Sequence, residues 1–346
     1  MNLKAVLLGA LSISLAAARP SPVKPSAAAH KIVSKYGWFG SVATQVKAAV
    51  EASIDLTQPF NEFKIPSTLY EKVGPYTFAF DATNRRLFFS VPDSPNYPLG
   101  YNCLIGFDLS KPAGAAGSYQ EMYLYGFGPG NVSFAAVPEG NDTRLWFDVD
   151  PDASGHAQSL AGFLWLPKIK LYNPSTGLVK VSPISGGADY SSAYDPATDS
   201  LAIRYRLNNQ TRMVAYDPVS ASKKDFSKPK YDVQVPALNT ASKTVRGWAV
   251  LAQNLYVLTG DAVSGAFADT KTEIANIDIR TLKTKQGPVA AQIKPAGLYE
   301  AMPQGLGVNY KKESIISCCL AWPAGRRITD RRTSFPTARS WLRFAR

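Results

Sequence analysis

Two arginines lie in an otherwise apolar segment, where their side chains could contact an anion. Arg204 and Arg206 lie in the segment Leu-Ala-Ile-Arg-Tyr-Arg, residues 201–206, which otherwise has the composition of a β strand. The planar guanidinium fork of arginine matches the two oxygens of a carboxylate. Such an arginine either binds an acidic ligand or pairs with a structural carboxylate between neighbouring elements, and the sequence leaves both interpretations open.

Residues that could transfer a proton are scarce. The chain has 2 histidines, His30 and His156. His30 lies in a stretch rich in Pro, Ser, Ala and Lys, which we predict to be disordered. His156, in the segment Asp-Ala-Ser-Gly-His-Ala, is predicted to lie in a solvated loop. Neither position indicates a catalytic histidine by itself.

Other kinds of site lack their usual sequence signatures. The segment Gly126-Phe-Gly-Pro-Gly130 does not have the glycine spacing of a phosphate-binding loop, and no predicted helix follows it. No Gly-x-Ser-x-Gly segment supports a serine nucleophile. No cysteine and histidine spacing suits a metal ion, and the acidic residues within 148–152 are typical of a solvated loop. We therefore predict neither a metal ion nor a cofactor.

The elements that must position these side chains are predicted to be short β strands. One phrase occurs twice: an apolar strand ends at Asp81 or Asp195, a polar turn follows, and a second strand starts at Leu87 or Leu201. A recurring hairpin is typical of radially arranged four-stranded sheets, which bury their faces against one another. Further strands are predicted at 104–108, 144–149, 169–173, 213–217, 247–250, 254–259 and 274–278. The spacing accommodates six or seven blades, and we predict an all-β, seven-bladed β-propeller rather than a β-sandwich.

The two ends of the chain differ from this middle part. Residues 1–18 combine a lysine, a short apolar run and three alanines, which predicts a cleaved signal peptide. A disordered leader is predicted at 19–35, a helix at 38–52, and the propeller domain at 36–310. Residues 311–346 form a basic, irregular tail without strand periodicity, so the closing blade is predicted to be incomplete. This tail is either a divergent extension or the product of a misread exon boundary or a shifted reading frame.

The charge distribution and the sequons bear on the partners and the location of the protein. The formal net charge is +12, but nine basic and two acidic residues lie within 311–346. The body of the chain has no basic face interleaved with aromatic residues, so we predict no nucleic-acid partner. The signal peptide and the glycosylation sequons at Asn131, Asn141 and Asn209 predict a secreted, extracellular glycoprotein. No second apolar run is long enough to predict a membrane span.

Five segments occur in the same order as in a known group of proteins. They are Phe78-Ala-Phe-Asp81, Tyr123-Leu-Tyr-Gly-Phe-Gly-Pro-Gly130, Leu145-Trp-Phe-Asp-Val-Asp150, Leu201-Ala-Ile-Arg-Tyr-Arg206 and Pro303-Gln-Gly-Leu306. From about Leu56 to Val308 the chain resembles secreted seven-bladed propellers that include fungal L-rhamnose-α-1,4-D-glucuronate lyases (polysaccharide lyase family 42). Bacterial proteins labelled teichoic acid biosynthesis protein C-like belong to the same group.

This resemblance implies a reaction and a set of site residues. The family reaction is a β-elimination at a glucuronate that carries a terminal rhamnose. It requires a group that neutralises the carboxylate, a base and a proton donor. The resemblance assigns Arg204 to the carboxylate, and it leaves Tyr76 or Tyr205 as a base near strand ends that face the channel. Arg206, Arg246 and Gln304 are predicted to bind the substrate.

The chain also departs from the family pattern. Pro129 stands where the family loop has its proton-transferring histidine, Gln304 where relatives have glutamate, and Arg246 where they have glutamine. Whether the protein is an enzyme is therefore open. It is either a carbohydrate-active lyase of the rhamnose-glucuronate type or a catalytically inactive relative that binds acidic or rhamnose-capped glycans. In both cases the predicted partner is an acidic plant or microbial glycan.

Overall fold

The computed structural model is an all-β arrangement of sheets. It describes residues 10–16, 60–66, 77–92, 101–111, 115–125, 132–166, 171–172, 179–236, 243–261, 272–290, 298–309, 314–323 and 339–345. The predicted leader at 19–35 and the predicted helix at 38–52 lie outside these residues. The structure does not test the predicted signal peptide or the domain boundaries, which stay predictions.

The strands are numbered here in chain order. They are β1 (Ala10–Ala16), β2 (Phe60–Pro66), β3 (Thr77–Asp81), β4 (Arg86–Pro92), β5 (Tyr101–Asp108), β6 (Tyr119–Tyr125), β7 (Ala135–Glu139), β8 (Asp142–Pro151), β9 (Ala157–Leu164), β10 (Leu171–Tyr172), β11 (Val179–Val181), β12 (Ala188–Asp195), β13 (Ser200–Leu207), β14 (Gln210–Tyr216), β15 (Tyr231–Gln234), β16 (Lys243–Leu251), β17 (Asn254–Asp261), β18 (Thr272–Asp278), β19 (Lys283–Ala290), β20 (Leu298–Asn309), β21 (Ser314–Pro323) and β22 (Arg339–Ala345).

A short helix, α1 (Pro218–Ser222), follows β14. The Asp217 side chain caps it by accepting a hydrogen bond from the backbone N–H of Ser220, and Pro218 occupies its first turn. In the part of the chain that the structure describes, no helix is long and apolar enough to cross a membrane.

Four sheets form the blades of a propeller. Blade 1 has the strand order β3-β4-β5-β6-β10, blade 2 has β7-β8-β9-β11, blade 3 has β12-β13-β14-β15, and blade 4 has β16-β17-β18-β19. In blades 3 and 4 every strand pairs antiparallel with the next strand in sequence. Both predicted phrases form the innermost hairpins of their blades, β3–β4 and β12–β13. The prediction of blade hairpins is thereby confirmed.

A fifth sheet draws its strands from both ends of the described chain. Its order is β1-β2-β22-β21-β20, and β20 contacts both β16 of blade 4 and β3 of blade 1. The innermost strands β3, β7, β12, β16 and β20 thus contact one another in a ring. Two of the strands in this sheet, β21 and β22, come from the part of the chain after residue 310.

The prediction of seven blades is wrong, because the described residues form four blades and a fifth sheet whose strand β20 lies between blades 4 and 1. Hydrogen bonds from Ala135 to Ser192, from Trp248 to Ser191 and from Ala252 to Asp195 each join neighbouring blades across 57 sequence positions. One blade therefore takes up about that length of chain. The two copies of the predicted phrase lie two such lengths apart, with the whole of blade 2 between them. This repeat is too long for seven blades in a chain of 346 residues.

The aspartates that end the two phrases join neighbouring blades. Asp81 Oδ2 accepts a hydrogen bond from Thr143 Oγ1 of blade 2 at 2.6 Å. Asp195 accepts the backbone N–H groups of Ala252 and Gln253 of blade 4 at 3.0 and 3.1 Å. Because both carboxylates are buried, these bonds satisfy groups that would otherwise be costly to exclude from water.

Apolar layers fill the spaces between the blades. Phe88 and Leu104 of blade 1 share a cluster with Phe147 of blade 2. Equivalent clusters lie between blades 2 and 3 and between blades 3 and 4. Blades 2 and 3 therefore bury both faces, which is the physical reason that a radially repeated sheet is stable only next to its neighbours.

The two ends of the ring can be told apart by their turns. The β3–β4 turn contacts the β7–β8 turn, since Asn84 Nδ2 donates to the Asp142 carbonyl at 2.7 Å. The β12–β13 and β16–β17 turns meet through Asp195 in the same way. We call this side the lower end. The upper end is then the side where the innermost strands begin, and it carries the β8–β9 and β13–β14 turns.

Candidate functional site

Three polar side chains from blades 2 and 3 meet at the upper end. Asp189, at the start of β12, contacts Arg204 of β13, with 3.5 Å between Oδ2 and Nη2. The other oxygen of Asp189 lies 3.4 Å from Nδ1 of His156, which belongs to the β8–β9 turn of blade 2. We call these three residues the Asp189 cluster. It brings together residues that are 33 and 15 positions apart in sequence.

The backbone of β12 directs Asp189 toward both partners. The pairing of β12 with β13 is interrupted by a bulge between Ala188 and Ser191. Within this bulge Asp189 has a φ of 57°, in the left-handed region that aspartate tolerates better than most residues. Bulges of this kind re-aim a side chain at the edge of a sheet. The Asp189 carboxylate can therefore reach across to blade 2 while it also contacts the neighbouring strand.

Arg204 is a buried cation with incomplete pairing. The residue is 8% exposed. Among the described residues its buried Nε has no hydrogen-bond partner. Burial lowers the pKa of the Arg204 guanidinium, the Asp189 carboxylate raises it, and the nearby Arg206 lowers it again. Arginine nonetheless stays protonated in proteins, so this position holds a positive charge with a free donor.

Alternation along β13 places Arg204 on the side of blade 4. Ala202, two residues earlier, belongs to the apolar cluster shared with blade 4, whereas Ile203 and Tyr205 belong to the cluster shared with blade 2. Arg204 is paired across the strands with Ser191, whose hydroxyl accepts a hydrogen bond from Trp248 Nε1 at 3.0 Å. Arg204 therefore lies at the seam between blades 3 and 4.

His156 lies in the hydrogen-bonded loop that joins β8 to β9. Its backbone N–H donates to Asp152 Oδ1 at 2.9 Å, and its carbonyl accepts from the Asp152 N–H at 2.9 Å. Gln158 Nε2 also donates to the His156 carbonyl at 2.8 Å. The hydrogen bond from the His156 backbone is the main reason that the pKa of Asp152 is lowered. The imidazole is 35% exposed, so it remains open to solvent while it contacts Asp189.

Sequence reasoning missed both His156 and Asp189 as site residues. Asp189 lies in the segment Gly-Gly-Ala-Asp-Tyr, which has no distinctive pattern. His156 was assigned to a loop because of its small and polar neighbours. A cross-blade contact leaves no local signal, and the only hint was that the chain has so few histidines.

Tyr205 lies away from the Asp189 cluster. Its hydroxyl donates to Asp232 at 2.9 Å and accepts from Arg212 Nε at 3.0 Å. Burial raises the pKa of Tyr205, and donation to Asp232 raises it further. A phenol that points to the blade 2 side and is held protonated is poorly placed to act as the base beside Arg204. Its predicted catalytic role is not tested here and stays a prediction.

The other predicted site residues are distributed around the ring. Arg206 is half-buried on β13, and its charge contributes to the lowered pKa of Asp152. Arg246 is half-buried at a bulge of β16 between Val245 and Gly247, and burial lowers its pKa. Gln304 lies on β20, opposite Cys318. Tyr76 and Pro129 lie outside the described residues.

Strands β16 and β20 approach each other closely next to two of these residues. A Cβ atom at Gly247 would lie 2.5 Å from the backbone of Gly305 and Leu306, so only glycine fits there. This contact brings the backbone segments that carry Arg246 and Gln304 side by side. Their predicted binding roles, and that of Arg206, stay predictions.

The described residues contain no group of three histidine, cysteine or acidic side chains that could hold a metal ion. The chemistry available at the Asp189 cluster is that of a guanidinium, a carboxylate and an imidazole. A guanidinium can bind an oxyanion, and an imidazole oriented by a carboxylate can transfer a proton.

Comparisons with known proteins find distant likenesses to solved structures and no family. No family model matches it, and no curated protein matches it. Among solved structures, TolB from Acinetobacter baumannii is 10% identical with a TM-score of 0.40, over 96% of this chain and 66% of that one. The phage phi92 endosialidase is 9% identical with a TM-score of 0.42, over 85% and 64%. The β-propeller domain of the Trilobed protease from Pyrococcus furiosus is 8% identical with a TM-score of 0.31, over 76% and 67%.

The chain thus spans slightly less than two thirds of the TolB and endosialidase chains. At such identities and TM-scores these likenesses carry no argument about the fold or the activity of this chain. Propellers host many unrelated functions, so function has to be argued from the site.

Proposed function

We propose that this protein is a secreted carbohydrate-active protein that binds a glucuronate-containing glycan and removes a terminal rhamnose from it by β-elimination. The observation that carries the proposal is the state of Arg204: a buried guanidinium with one long ion contact and, among the described residues, no partner for its Nε. A carboxylate ligand would supply the missing acceptor. The resemblance of the sequence to rhamnose-glucuronate lyases supports the same substrate class.

A uronate carboxylate suits this position for a chemical reason. The proton to be removed in the elimination lies on the carbon next to the carboxylate, and it becomes acidic only when the negative charge is compensated. A guanidinium that is already desolvated interacts more strongly with an anion than one in water does. Arg204 would therefore bind the substrate and also stabilise the charge that develops during proton removal.

The alternative for Arg204 is a structural ion pair with Asp189. Structural pairs of arginine and carboxylate are usually bidentate and shorter than 3 Å, whereas this contact is single and 3.5 Å long. Burying a charge with one weak contact is costly unless a further partner is provided. The geometry therefore favours a site that a ligand completes.

A second candidate function is glycan binding without turnover. The observation that favours it is in the sequence: Pro129 stands in the loop where the related lyases have their histidine. Proline can neither accept nor donate a proton at its ring nitrogen. A protein of this kind would bind the same acidic or rhamnose-capped glycans through Arg204 and release nothing.

One experiment separates these possibilities. The secreted protein is incubated with rhamnose-capped arabinogalactan while free rhamnose and the ultraviolet absorbance of an unsaturated uronate are followed. Affinity is measured in parallel for an oligosaccharide that ends in rhamnose linked to glucuronate and for the same compound with its carboxyl group reduced. Product formation supports the lyase, and binding without product supports the second candidate.

Variants of Arg204 test the assigned residue. Arg204→Met should lower affinity for the acidic oligosaccharide about 10- to 100-fold, the value of a charged hydrogen bond, and should leave the reduced oligosaccharide unaffected. Arg144→Met is the matched control, because Arg144 pairs with Glu139 near the β7–β8 turn at the lower end. An Arg204→Met protein that still prefers the acidic compound as strongly as the unmodified protein does would refute the assignment.

A further inference from the structure

The Asp189 cluster holds a second group whose use the proposed function leaves open. His156 comes from blade 2 and Arg204 from blade 3, yet both contact the two oxygens of one carboxylate. The imidazole and the guanidinium are thereby held next to a single carboxyl group. Among the described residues His156 is the single histidine.

We infer that His156 is the proton-transfer residue of the proposed elimination and that Asp189 positions it against Arg204. This inference rests on the proposed function. It means that blade 2 supplies the proton-transfer group through its β8–β9 turn, and not through the loop that contains Pro129. No other residue of the cluster can take and return a proton near neutral pH.

The contact with Asp189 fixes which imidazole nitrogen is available. An ionised carboxylate only accepts hydrogen bonds, so the Nδ1 atom 3.4 Å from Asp189 Oδ1 is the one assigned the proton. The lone pair is then on Nε2, which points away from the carboxylate. A carboxylate that selects the tautomer and orientation of a histidine in this way is the usual arrangement for a general base.

The turn that carries His156 is held from several sides. Asp152 binds the backbone of His156 at both its N–H and its carbonyl, and Gln158 binds the same carbonyl. The ring therefore stands on a rigid support, as a proton-transfer group needs. The charged groups that surround it are Asp152 on its own turn, Asp189 on β12, and Arg204 and Arg206 on β13.

The elimination can be written with these groups alone. Arg204 binds the uronate carboxylate, and Nε2 of His156 takes the proton from the carbon next to it. The electron pair of that C–H bond forms the new carbon–carbon double bond, and the bond to the rhamnose oxygen breaks. The imidazolium then returns the proton to the departing oxygen. The products are a free rhamnose and an unsaturated uronate, and His156 is neutral again.

The test compares His156→Gln and Asp189→Asn with Ser154→Ala, all in the full secreted chain. Glutamine retains an N–H that can donate to Asp189, so the cluster is kept while the base is removed. Ser154 lies exposed on the same turn and contributes only its backbone N–H to Asp152, which makes it the matched control. Rhamnose release and binding of the acidic oligosaccharide are measured for each protein.

We expect His156→Gln to lower kcat about 10²- to 10⁴-fold with little change in affinity, the usual contribution of a general base. Asp189→Asn should lower kcat and also weaken binding of the acidic oligosaccharide, because His156 and Arg204 both lose the carboxylate that positions them. The pH dependence of the rate should differ between the unmodified protein and His156→Gln, because only the unmodified protein has the imidazole base. Ser154→Ala should match the unmodified protein.

The outcomes distinguish this inference from the proposed function. If the unmodified protein releases rhamnose and His156→Gln does so equally fast with the same pH profile, the inference is overturned and the proposed function stands. If the unmodified protein binds the acidic oligosaccharide but forms no product, the elimination and the role of His156 both fail. If it neither binds nor turns over the oligosaccharide, the proposed substrate class fails as well.

Discussion

Replacing Asp195 by alanine removes the acceptor that joins blade 3 to blade 4. The Asp195 carboxylate is buried and accepts four hydrogen bonds. Two of them, from the Ala197 N–H and the Thr198 hydroxyl, at 3.0 and 2.8 Å, close its own turn. The other two come from the backbone of Ala252 and Gln253 in blade 4, at 3.0 and 3.1 Å. The substitution therefore loosens both a turn and a blade seam.

The size of the effect follows from this count. A hydrogen bond contributes about 1–1.5 kcal/mol net, so the four together contribute about 4–6 kcal/mol. Relief from burying the carboxylate offsets part of this loss. We expect Asp195→Ala to lower the free energy of unfolding by about 3–5 kcal/mol, which at this chain length corresponds to roughly 4–7 °C in Tm. Asp195→Asn keeps one acceptor oxygen and should lose about half as much.

Thermal and urea unfolding, followed by circular dichroism, measure this change. Asp199→Asn is the control, because Asp199 lies exposed in the same turn and accepts one side-chain hydrogen bond, from the Tyr194 hydroxyl at 2.9 Å. It should cost about 1 kcal/mol or less. If Asp195→Ala unfolds at the same temperature as Asp199→Asn, the Asp195 carboxylate does not join the blades and the reasoning is wrong.

Three further predictions follow from single contacts. Gly247→Ala places a Cβ 2.5 Å from the backbone of β20, so we expect the free energy of unfolding to fall by about 2–4 kcal/mol. Unchanged stability would contradict the close approach of β16 and β20. The pKa of Asp278 is lowered, first by its hydrogen bond from Arg280. The contribution of Asp278 to stability is therefore present above about pH 4 and is lost on further acidification. Asp278→Asn should make Tm fall less steeply as the pH is lowered below about 4. An equally steep fall would argue against the pairing of Asp278 with Arg280. Tyr205→Phe should lower the free energy of unfolding by about 1 kcal/mol, because its hydrogen bond to Asp232 is lost, and should leave glycan turnover intact. A large loss of turnover with normal stability would support the predicted catalytic role of the phenol.

Much of the local structure could be predicted from the sequence. The hairpins ending at Asp81 and Asp195 were predicted correctly, because alternation of apolar residues and a polar turn are properties of adjacent residues. The number of blades was predicted wrongly, because the repeated phrase of strand, aspartate and polar turn is recognisable only in blades 1 and 3. In blade 2 the corresponding strand β7 ends in Pro-Glu and in blade 4 the turn begins at Ala252. The repeat length became visible only through bonds between blades.

The candidate site shows the same division. Arg204 could be selected from the sequence because it stands where the resembled lyases have an arginine, but its Nε without a partner among the described residues is a tertiary observation. The neighbouring Tyr205 was also selected as a site residue, but strand alternation places it on the face of blade 3 that packs against blade 2. The separation of these two neighbours follows from the period of two in a β strand, once one face is assigned to blade 2 and the other to blade 4.

The amino-acid sequence was enough to predict strands, turns and the all-β class, and its resemblance to a known family pointed to Arg204. These features depend on residues a few positions apart, whose side chains act on the local backbone. Three features are visible only in the tertiary structure: the number of blades, the side of blade 3 on which Arg204 lies, and the meeting of His156 and Arg204 at Asp189. Those outcomes depend on the packing of sheets that are far apart in the chain, and burial against a neighbouring blade leaves no spacing that the sequence could display.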